Sequence, residues 1–103
     1  QMNKLSLSAL LAALALIASP TYAADVAAGK AIAEAGCADC HGDDGKGDDE
    51  NPAINGWPVD KFTKAMVEYQ NGTRTKDAKM AKAAKKLSAT DIANVAAFYA
   101  TLK

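Results

Sequence analysis

The sequence predicts a small all-α domain, and three observations support this fold class. Apolar residues recur at helical spacing: Phe62, Ala65, Met66 and Tyr69 fall at positions i, i+3, i+4 and i+7. No segment alternates convincingly between polar and apolar residues, as a half-buried β-strand would. The chain has 103 residues, enough for one domain and not two. We therefore expect about four to five helices in a single domain.

The N-terminal segment, residues 1–23, has the pattern of a secretory signal peptide. Lys4 precedes an apolar run over residues 5–18, and a small-residue cleavage pattern ends at Ala23. The alternative is a transmembrane anchor, but an anchor needs about 20 apolar residues and this run is shorter. We expect cleavage before Ala24, export to the periplasm and no stable membrane anchor.

The remaining segment, residues 24–103, has a nearly balanced charge. Without Lys4, 11 basic residues stand against 12 acidic ones. This balance gives no reason to expect a nucleic acid or an anionic membrane as partner. The segment is rich in alanine and poor in aromatic residues. Because domains near this size often depend on a covalent link or a cofactor, we expect something else to fill the core.

Local signals place the first helices. Asp25 can cap a helix that ends at Gly36, and Gly29 within this helix indicates a close contact with another helix. Glycines and prolines then mark residues 42–58 as a loop. The apolar stripe described above predicts a helix over residues 59–70, which Asn71 and Gly72 end.

The C-terminal helices follow a polar stretch. Residues 73–79 show no pattern, so we expect a loop there and a short helical turn after Met80 that ends at Leu87. Ser88 can cap the last helix, and Asp91 three residues later completes a pair similar to a capping box. The predicted inner face of this helix comprises Ile92, Val95, Ala96, Tyr99 and Leu102.

Both cysteines and the single histidine lie within five positions, Cys37-Ala38-Asp39-Cys40-His41. A Cys-x-x-Cys pair alone is compatible with a redox dithiol or with part of a zinc site. A redox dithiol normally follows a β-strand, and no strand pattern precedes this pair. A structural zinc needs four ligands, and these two cysteines and one histidine are only three. Covalent haem attachment needs two thiols at this spacing beside an imidazole that reaches the iron. Haem is therefore favoured over the remaining alternative, a surface disulfide with an unrelated histidine.

Two methionines of this segment are candidates for the second axial ligand of a haem iron. Met66 lies within the apolar stripe, where methionine is usually a core residue. Met80 follows the polar stretch, so its thioether can approach the iron opposite His41, although it could instead anchor a loop to the core. We favour Met80, because a thioether ligand raises the haem potential for electron transfer.

A haem with both axial positions filled by protein does not favour catalysis, so we do not expect an enzyme.

Over residues 24–103 the chain resembles class I c-type cytochromes of the small bacterial soluble type. The resemblance rests on four segments: Gly29 with the Cys37–His41 motif and Gly42; Pro52-Ala53-Ile54-Asn55-Gly56, with Ile54 for the usual leucine; Tyr69-Gln70-Asn71-Gly72-Thr73-Arg74; and Met80 with Leu87-Ser88, Asp91-Ile92 and Phe98-Tyr99. It implies the small class I cytochrome c fold, in which the helices pack around one covalently bound haem.

The resemblance also implies the residues that hold a single haem c. These are the two attachment cysteines, the two axial ligands and two residues of the intervening loop: Cys37, Cys40, His41, Met80, Pro52 and Ile54. Pro52 should accept a hydrogen bond from the distal ring nitrogen of His41, and Ile54 should press on the haem face. Gly29 should let the first helix cross the last one closely. Ala33 departs from the aromatic residue of many relatives, and Trp57 is unusual at its position.

Three functions are compatible with this interpretation. We favour a monomeric, soluble one-electron carrier between exported or membrane redox enzymes, whose partners are redox proteins of the exported electron-transfer chain. The alternatives are a haem subunit that is permanently docked to a dehydrogenase or oxidase, and a ligand-binding or peroxidatic haem protein. Basic residues cluster around Met80 and could steer an acidic partner, or form an ordinary solvated face: Arg74, Lys76, Lys79, Lys82, Lys85 and Lys86.

Overall fold

The computed structural model describes residues 23–103, so the predicted signal peptide lies almost entirely outside the described residues. The regular structure of the described part is helical throughout. It comprises α1 (Val26–Gly36), α2 (Ala38–His41), α3 (Val59–Asn71), α4 (Ala78–Lys85) and α5 (Ala89–Ala100). No helix in this range is long and apolar enough to cross a membrane. The all-α prediction is confirmed.

Helices α1 and α5 cross at very short range, and Gly29 makes this crossing possible. A Cβ atom at Gly29 would overlap the backbone carbonyl of Asn94 and lie 2.9 Å from the Val95 nitrogen. The Asn94 side chain also accepts a hydrogen bond from the Asp25 backbone nitrogen at 2.9 Å. Asp25 in turn caps α1 by accepting from the Ala28 nitrogen at 3.0 Å. The close contact predicted for Gly29 is confirmed.

The core lies between α3 and α5 and is closed by the other helices. Phe62 and Tyr99 stack with their ring centroids 5.6 Å apart, and Phe98 lies against Tyr99 at 5.2 Å. The buried cluster comprises Ala33, Ile54, Phe62, Met66, Tyr69, Ala84, Ile92, Val95, Ala96, Phe98 and Tyr99. Four of the five residues predicted for the inner face of α5 lie on this helix and belong to the cluster. The fifth, Leu102, follows the end of the helix and is half-buried.

Most helix ends agree with the sequence signals. Helix α3 ends at Asn71, and Gly72 follows in the left-handed region at φ 82°. Ser88 and Asp91 form a complete capping box at the start of α5, with hydrogen bonds of 3.0 and 3.1 Å. Each end therefore satisfies backbone groups that a helix leaves without partners.

The start of α4 was predicted wrongly. Asp77 accepts hydrogen bonds from the Lys79 nitrogen at 2.9 Å and the Met80 nitrogen at 3.2 Å, so the helix begins at Ala78. Met80 consequently lies in the first turn of α4 and not before the helix. An aspartate at this position is a strong helix cap. Its signal was overlooked because the apolar pattern around it is weak.

Candidate functional site

The Cys-x-x-Cys-His motif forms a helical turn of its own, which was not predicted from the sequence. Cys37 ends α1, and α2 follows immediately over Ala38–His41. The His41 nitrogen donates to the Cys37 carbonyl at 3.0 Å, and the Cys40 nitrogen donates to the same oxygen at 3.2 Å. Residues three and four apart on a helix are neighbours on its surface, so Cys37 lies next to both Cys40 and His41.

The two cysteines have different surroundings. Cys37 is half-buried, Cys40 is exposed, and both are free thiols. Burial raises the pKa of the Cys37 thiol, and a side-chain hydrogen bond with Tyr99 offsets this only in part. Reactive dithiol cysteines instead have a lowered thiol pKa. The environment of Cys37 therefore does not favour the redox-dithiol alternative.

Tyr99 is a neighbour of the motif that the sequence interpretation assigned only to the core. Its side chain is 1% exposed, and burial raises the pKa of its phenol, with a further contribution from Cys37. The phenol therefore remains protonated at neutral pH and can donate its hydrogen to the sulfur of Cys37. Tyr99 thus brings a polar group of α5 next to the Cys37 thiol.

His41 is oriented by the loop that follows it. The side chain is 7% exposed, and its Nδ1 lies 2.9 Å from the backbone carbonyl oxygen of Pro52. Because a carbonyl can only accept, Nδ1 carries the hydrogen, and the lone pair of Nε2 is available to a metal. The contact with Pro52 that the resemblance implied is present, and contacts of this kind fix the ring of a metal-binding histidine.

The position of Pro52 depends on the folding of the loop over residues 42–58. The Gly47 nitrogen donates to the His41 carbonyl at 2.7 Å, and Gly47 has a φ of 69°. A Cβ atom at Gly47 would lie 2.7 Å from the Pro52 carbonyl carbon and oxygen, so a side chain there would displace the partner of His41. Asp48 closes the next turn by accepting from the Glu50 and Asn51 nitrogens, and these bonds lower the pKa of its carboxyl.

A cleft of about 490 Å³ lies between the motif and the start of α4. Its walls comprise Cys40, Glu50, Asn51, Lys76, Asp77, Ala78 and Lys79. Most of these wall residues are polar or charged. The Cys40 thiol borders the cleft on one side, and the residues just before Met80 border it on the other. A group attached through Cys40 would therefore have space beside α4.

The two residues proposed to bind the iron, His41 and Met80, lie on helices that do not pack closely together. In residues 23–103, the packed helix pairs are α1 with α5, α3 with α4, α3 with α5, and α1 with α2. His41 on α2 and Met80 on α4 are thus held by different parts of the fold. Met80 is half-buried against the core cluster, whereas Met66 and Ile54 belong to it, with 5% and 7% exposure. A free imidazole lone pair, two free thiols, of which Cys40 borders the cleft, and a separate thioether form a donor set that fits haem c.

Residues 24–98 match the family described as cytochrome c oxidase, cbb3-type, subunit III. The chain is also similar to cytochrome c-554(547) of Halothiobacillus neapolitanus, with 35% identity over 91 residues, 79% of this chain and all of the relative. The fold and the motif define a small c-type cytochrome. This chain belongs to the c-type cytochrome family, and membership implies electron transfer by haem c.

Four other side chains near the site were not recognised from the sequence, or only in part. Gln70 bridges α3 to the end of α4, with hydrogen bonds of 2.8 and 2.9 Å. Arg74 forms an ion pair with Glu68 at 2.8 Å and lies over the Tyr69 ring. The ammonium of Lys61 lies 4.1 Å from the centroid of the Trp57 ring, which gives Trp57 a cation–π partner. The partners in these contacts are brought together by the packing of the helices. A single polar residue has no periodic pattern in the sequence that would reveal such a partner.

Proposed function

We propose that this chain is a soluble, monomeric, periplasmic one-electron carrier, with haem c attached to Cys37 and Cys40. His41 and Met80 would be the axial ligands, and Ile54 would contact the haem face. The observation that carries the proposal is the hydrogen bond between His41 Nδ1 and the Pro52 carbonyl, 2.9 Å long, next to two free thiols. This arrangement holds an imidazole in the tautomer and orientation that an iron ligand needs.

The residues around the site favour electron transfer over catalysis. When bound, a haem supplies an iron that reversibly takes up and releases one electron. The Pro52 carbonyl makes His41 a more basic ligand, and the Met80 thioether would raise the reduction potential. His41 and Met80 would both bind the iron and would leave small substrates no position there, so the proposal is a carrier and not an enzyme.

The second candidate is a haem subunit that stays docked to an oxidase or dehydrogenase. The description of the matching family, an oxidase subunit, favours it. The described surface favours the free carrier, because its exposed large apolar residues are three valines on two helices, Val26, Val59 and Val67. Permanent interfaces are generally larger and more apolar. Gel filtration of a native extract separates the two: a free carrier elutes at the size of one domain, and a subunit elutes with its complex.

Covalent attachment of haem is the first test of the proposal. The native protein should retain its haem colour after denaturation and acid–organic extraction, because two thioether bonds would hold the group. Intact mass should exceed that of the polypeptide by one haem and should also report the cleavage site. Cys40→Ser should leave at most one thioether bond, and Cys37→Ser with Cys40→Ser none. Haem that extracts freely from the native protein would contradict the attachment.

The partners in this proposal are acidic redox proteins, which would approach the basic face formed by Lys76, Lys79, Lys82, Lys85 and Lys86. All five lysines are exposed, and within residues 23–103 none forms an ion pair. Two of them border the cleft beside Cys40. Arg74, which the sequence grouped with them, is paired with Glu68 and is not included. Charges in this position can steer a brief encounter without a large interface.

Changing Lys79, Lys82 and Lys86 together to Gln should slow oxidation by an acidic partner. Steering acts over about 8–10 Å at ordinary ionic strength, so the change should appear in the association rate. In stopped-flow measurements, increasing salt should strongly reduce the oxidation rate of the native protein and only weakly reduce that of the triple variant. The reduction potential should change little.

The matched control for the basic face neutralises three exposed acidic residues of the loop, Asp43→Asn, Asp49→Asn and Glu50→Gln. Asp44 and Asp48 are left unchanged, because both accept backbone hydrogen bonds. The control should not slow oxidation by the acidic partner. If the native rate does not depend on salt, the basic face is an ordinary solvated surface.

A further inference from the structure

The side chain of Gln70 connects two helices at the end of α4. Its Nε2 donates to the carbonyl oxygens of Ala84, at 2.8 Å, and Leu87, at 2.9 Å. A carboxamide nitrogen carries two hydrogens, so both donors are used in this contact. The Ala84 carbonyl also accepts from the Leu87 backbone nitrogen at 3.1 Å, and Leu87 lies two residues beyond the end of α4. Gln70, in the last turn of α3, therefore adds two hydrogen bonds from a neighbouring helix to the C-terminal end of α4 and the residues that follow it.

Helix α4 is thereby held at both ends. At its start, Asp77 accepts from the backbone nitrogens of Lys79 and Met80. At its end, Ala84 is fully buried and bonded to Gln70. A helix of eight residues is not stable alone in water, because it forms too few hydrogen bonds to offset the cost of nucleation. The Asp77 bonds cap the helix locally, so the position of α4, including Met80, depends on Gln70 and on the packing of α4 against the core cluster.

We propose that Gln70 is a positioning residue for Met80: its two hydrogen bonds hold α4 against α3 and so keep the thioether at the iron. This inference rests on the proposed ligation by Met80. Gln70 bonds to backbone carbonyls and not to Met80. Its effect is to reduce how often α4 separates from α3. A ligand on a helix that opens more often is replaced more easily by a competing small molecule.

The test uses the haem-loaded ferric protein with imidazole as the competing ligand. Gln70→Glu keeps the shape of the side chain but replaces both donors with an acceptor that faces two carbonyls. Gln70→Leu removes the donors without adding charge, in case the Glu variant does not fold. Both variants should bind imidazole about tenfold faster or more, because two part-buried hydrogen bonds no longer oppose opening. In both variants, the weak sulfur-to-iron absorption band should be lost at a lower temperature or denaturant concentration than the far-ultraviolet signal of the helices.

Asn94→Ala is the matched control. Asn94 is also a half-buried carboxamide that joins a helix to the backbone of another segment, but it lies on α5 and bonds to Asp25. Its loss should lower the free energy of unfolding without changing the rate of imidazole binding. An equal acceleration in Asn94→Ala would show that general destabilisation is sufficient, and would overturn the role of Gln70.

The two proposals fail in different ways. If the native protein lacks the sulfur-to-iron band, or if Met80→Ala retains it, Met80 is not the ligand and the positioning role has no basis. If Met80→Ala abolishes the band but both Gln70 variants bind imidazole at the native rate, ligation stands and the inference about Gln70 is wrong.

Discussion

The Met80→Ala variant is expected to lose the weak sulfur-to-iron band, to have a lower reduction potential and to bind carbon monoxide in the reduced state. The Met80 thioether would stabilise the ferrous iron and exclude other ligands from it, so its removal should reverse both effects. Absorbance spectra with and without carbon monoxide and a redox titration measure these changes. Because Met80 lies in the first turn of a helix and is only half-buried, its replacement should disturb the fold little.

Met66→Ala is the matched control for Met80→Ala. Met66 is 5% exposed within the core cluster, so its truncation leaves a cavity and should lower the free energy of unfolding by about 2–5 kcal/mol. Its absorption spectrum and response to carbon monoxide should remain close to native. Chemical denaturation followed at the haem band and in the far-ultraviolet measures the loss. If Met66→Ala instead opens the iron and Met80→Ala does not, the assignment of the two methionines is reversed.

The sequence predicted the attachment motif because all of its chemistry is local. Cys40 and His41 follow Cys37 by three and four residues, and one helical turn places residues at these spacings next to Cys37. Helices α1, α3 and α5 could be predicted for the same reason, since their apolar periodicity and their caps involve neighbours along the chain. The capping box of Ser88 and Asp91 is an example, and the structure reproduces it completely.

Contacts between distant residues were accessible only through the family resemblance or not at all. The bond between His41 and the Pro52 carbonyl was expected on the resemblance alone, because it depends on the exact path of an irregular loop. The polar contacts of Gln70 and Tyr99 could not be predicted, because a single polar group in a helix has no periodicity that indicates its partner. Their partners are set by how α3, α4 and α5 pack, which no local pattern encodes.

Charge was similarly hard to interpret from position alone. The sequence placed Arg74 with five lysines because they lie close together along the chain. In the structure, Arg74 closes the end of α3: its backbone nitrogen donates to the Glu68 carbonyl at 3.0 Å, and its guanidinium pairs with the Glu68 carboxylate. A guanidinium pairs with a carboxylate in a defined geometry, whereas a lysine ammonium more often remains solvated. The five lysines are thus the part of the basic run that remains available to a partner.

Gly29→Ala is expected to destabilise the whole domain, although it adds a single methyl group. The new Cβ would overlap backbone atoms of Asn94, which cannot rotate away as a flexible side chain would. Helices α1 and α5 would have to separate, and this would loosen the contact of Tyr99 with Cys37. Overpacking of this kind typically costs about 1–3 kcal/mol. For a domain of this size each kcal/mol lowers the melting temperature by about 4–8 °C.

Gly36→Ala is the control that separates steric overlap from an ordinary glycine effect in α1. A Cβ atom at Gly36 would meet nothing within 4 Å, and the residue lies in the last turn of the same helix without a positive φ. Alanine favours the helix over glycine by about 0.5–1 kcal/mol, so Gly36→Ala should be neutral or slightly stabilising. Thermal and chemical denaturation of the haem-loaded protein measure both variants. Because the two substitutions are chemically identical, opposite effects on stability can arise only from the space available at each position. A stable Gly29→Ala variant would mean that α1 and α5 do not cross as closely as the structure shows.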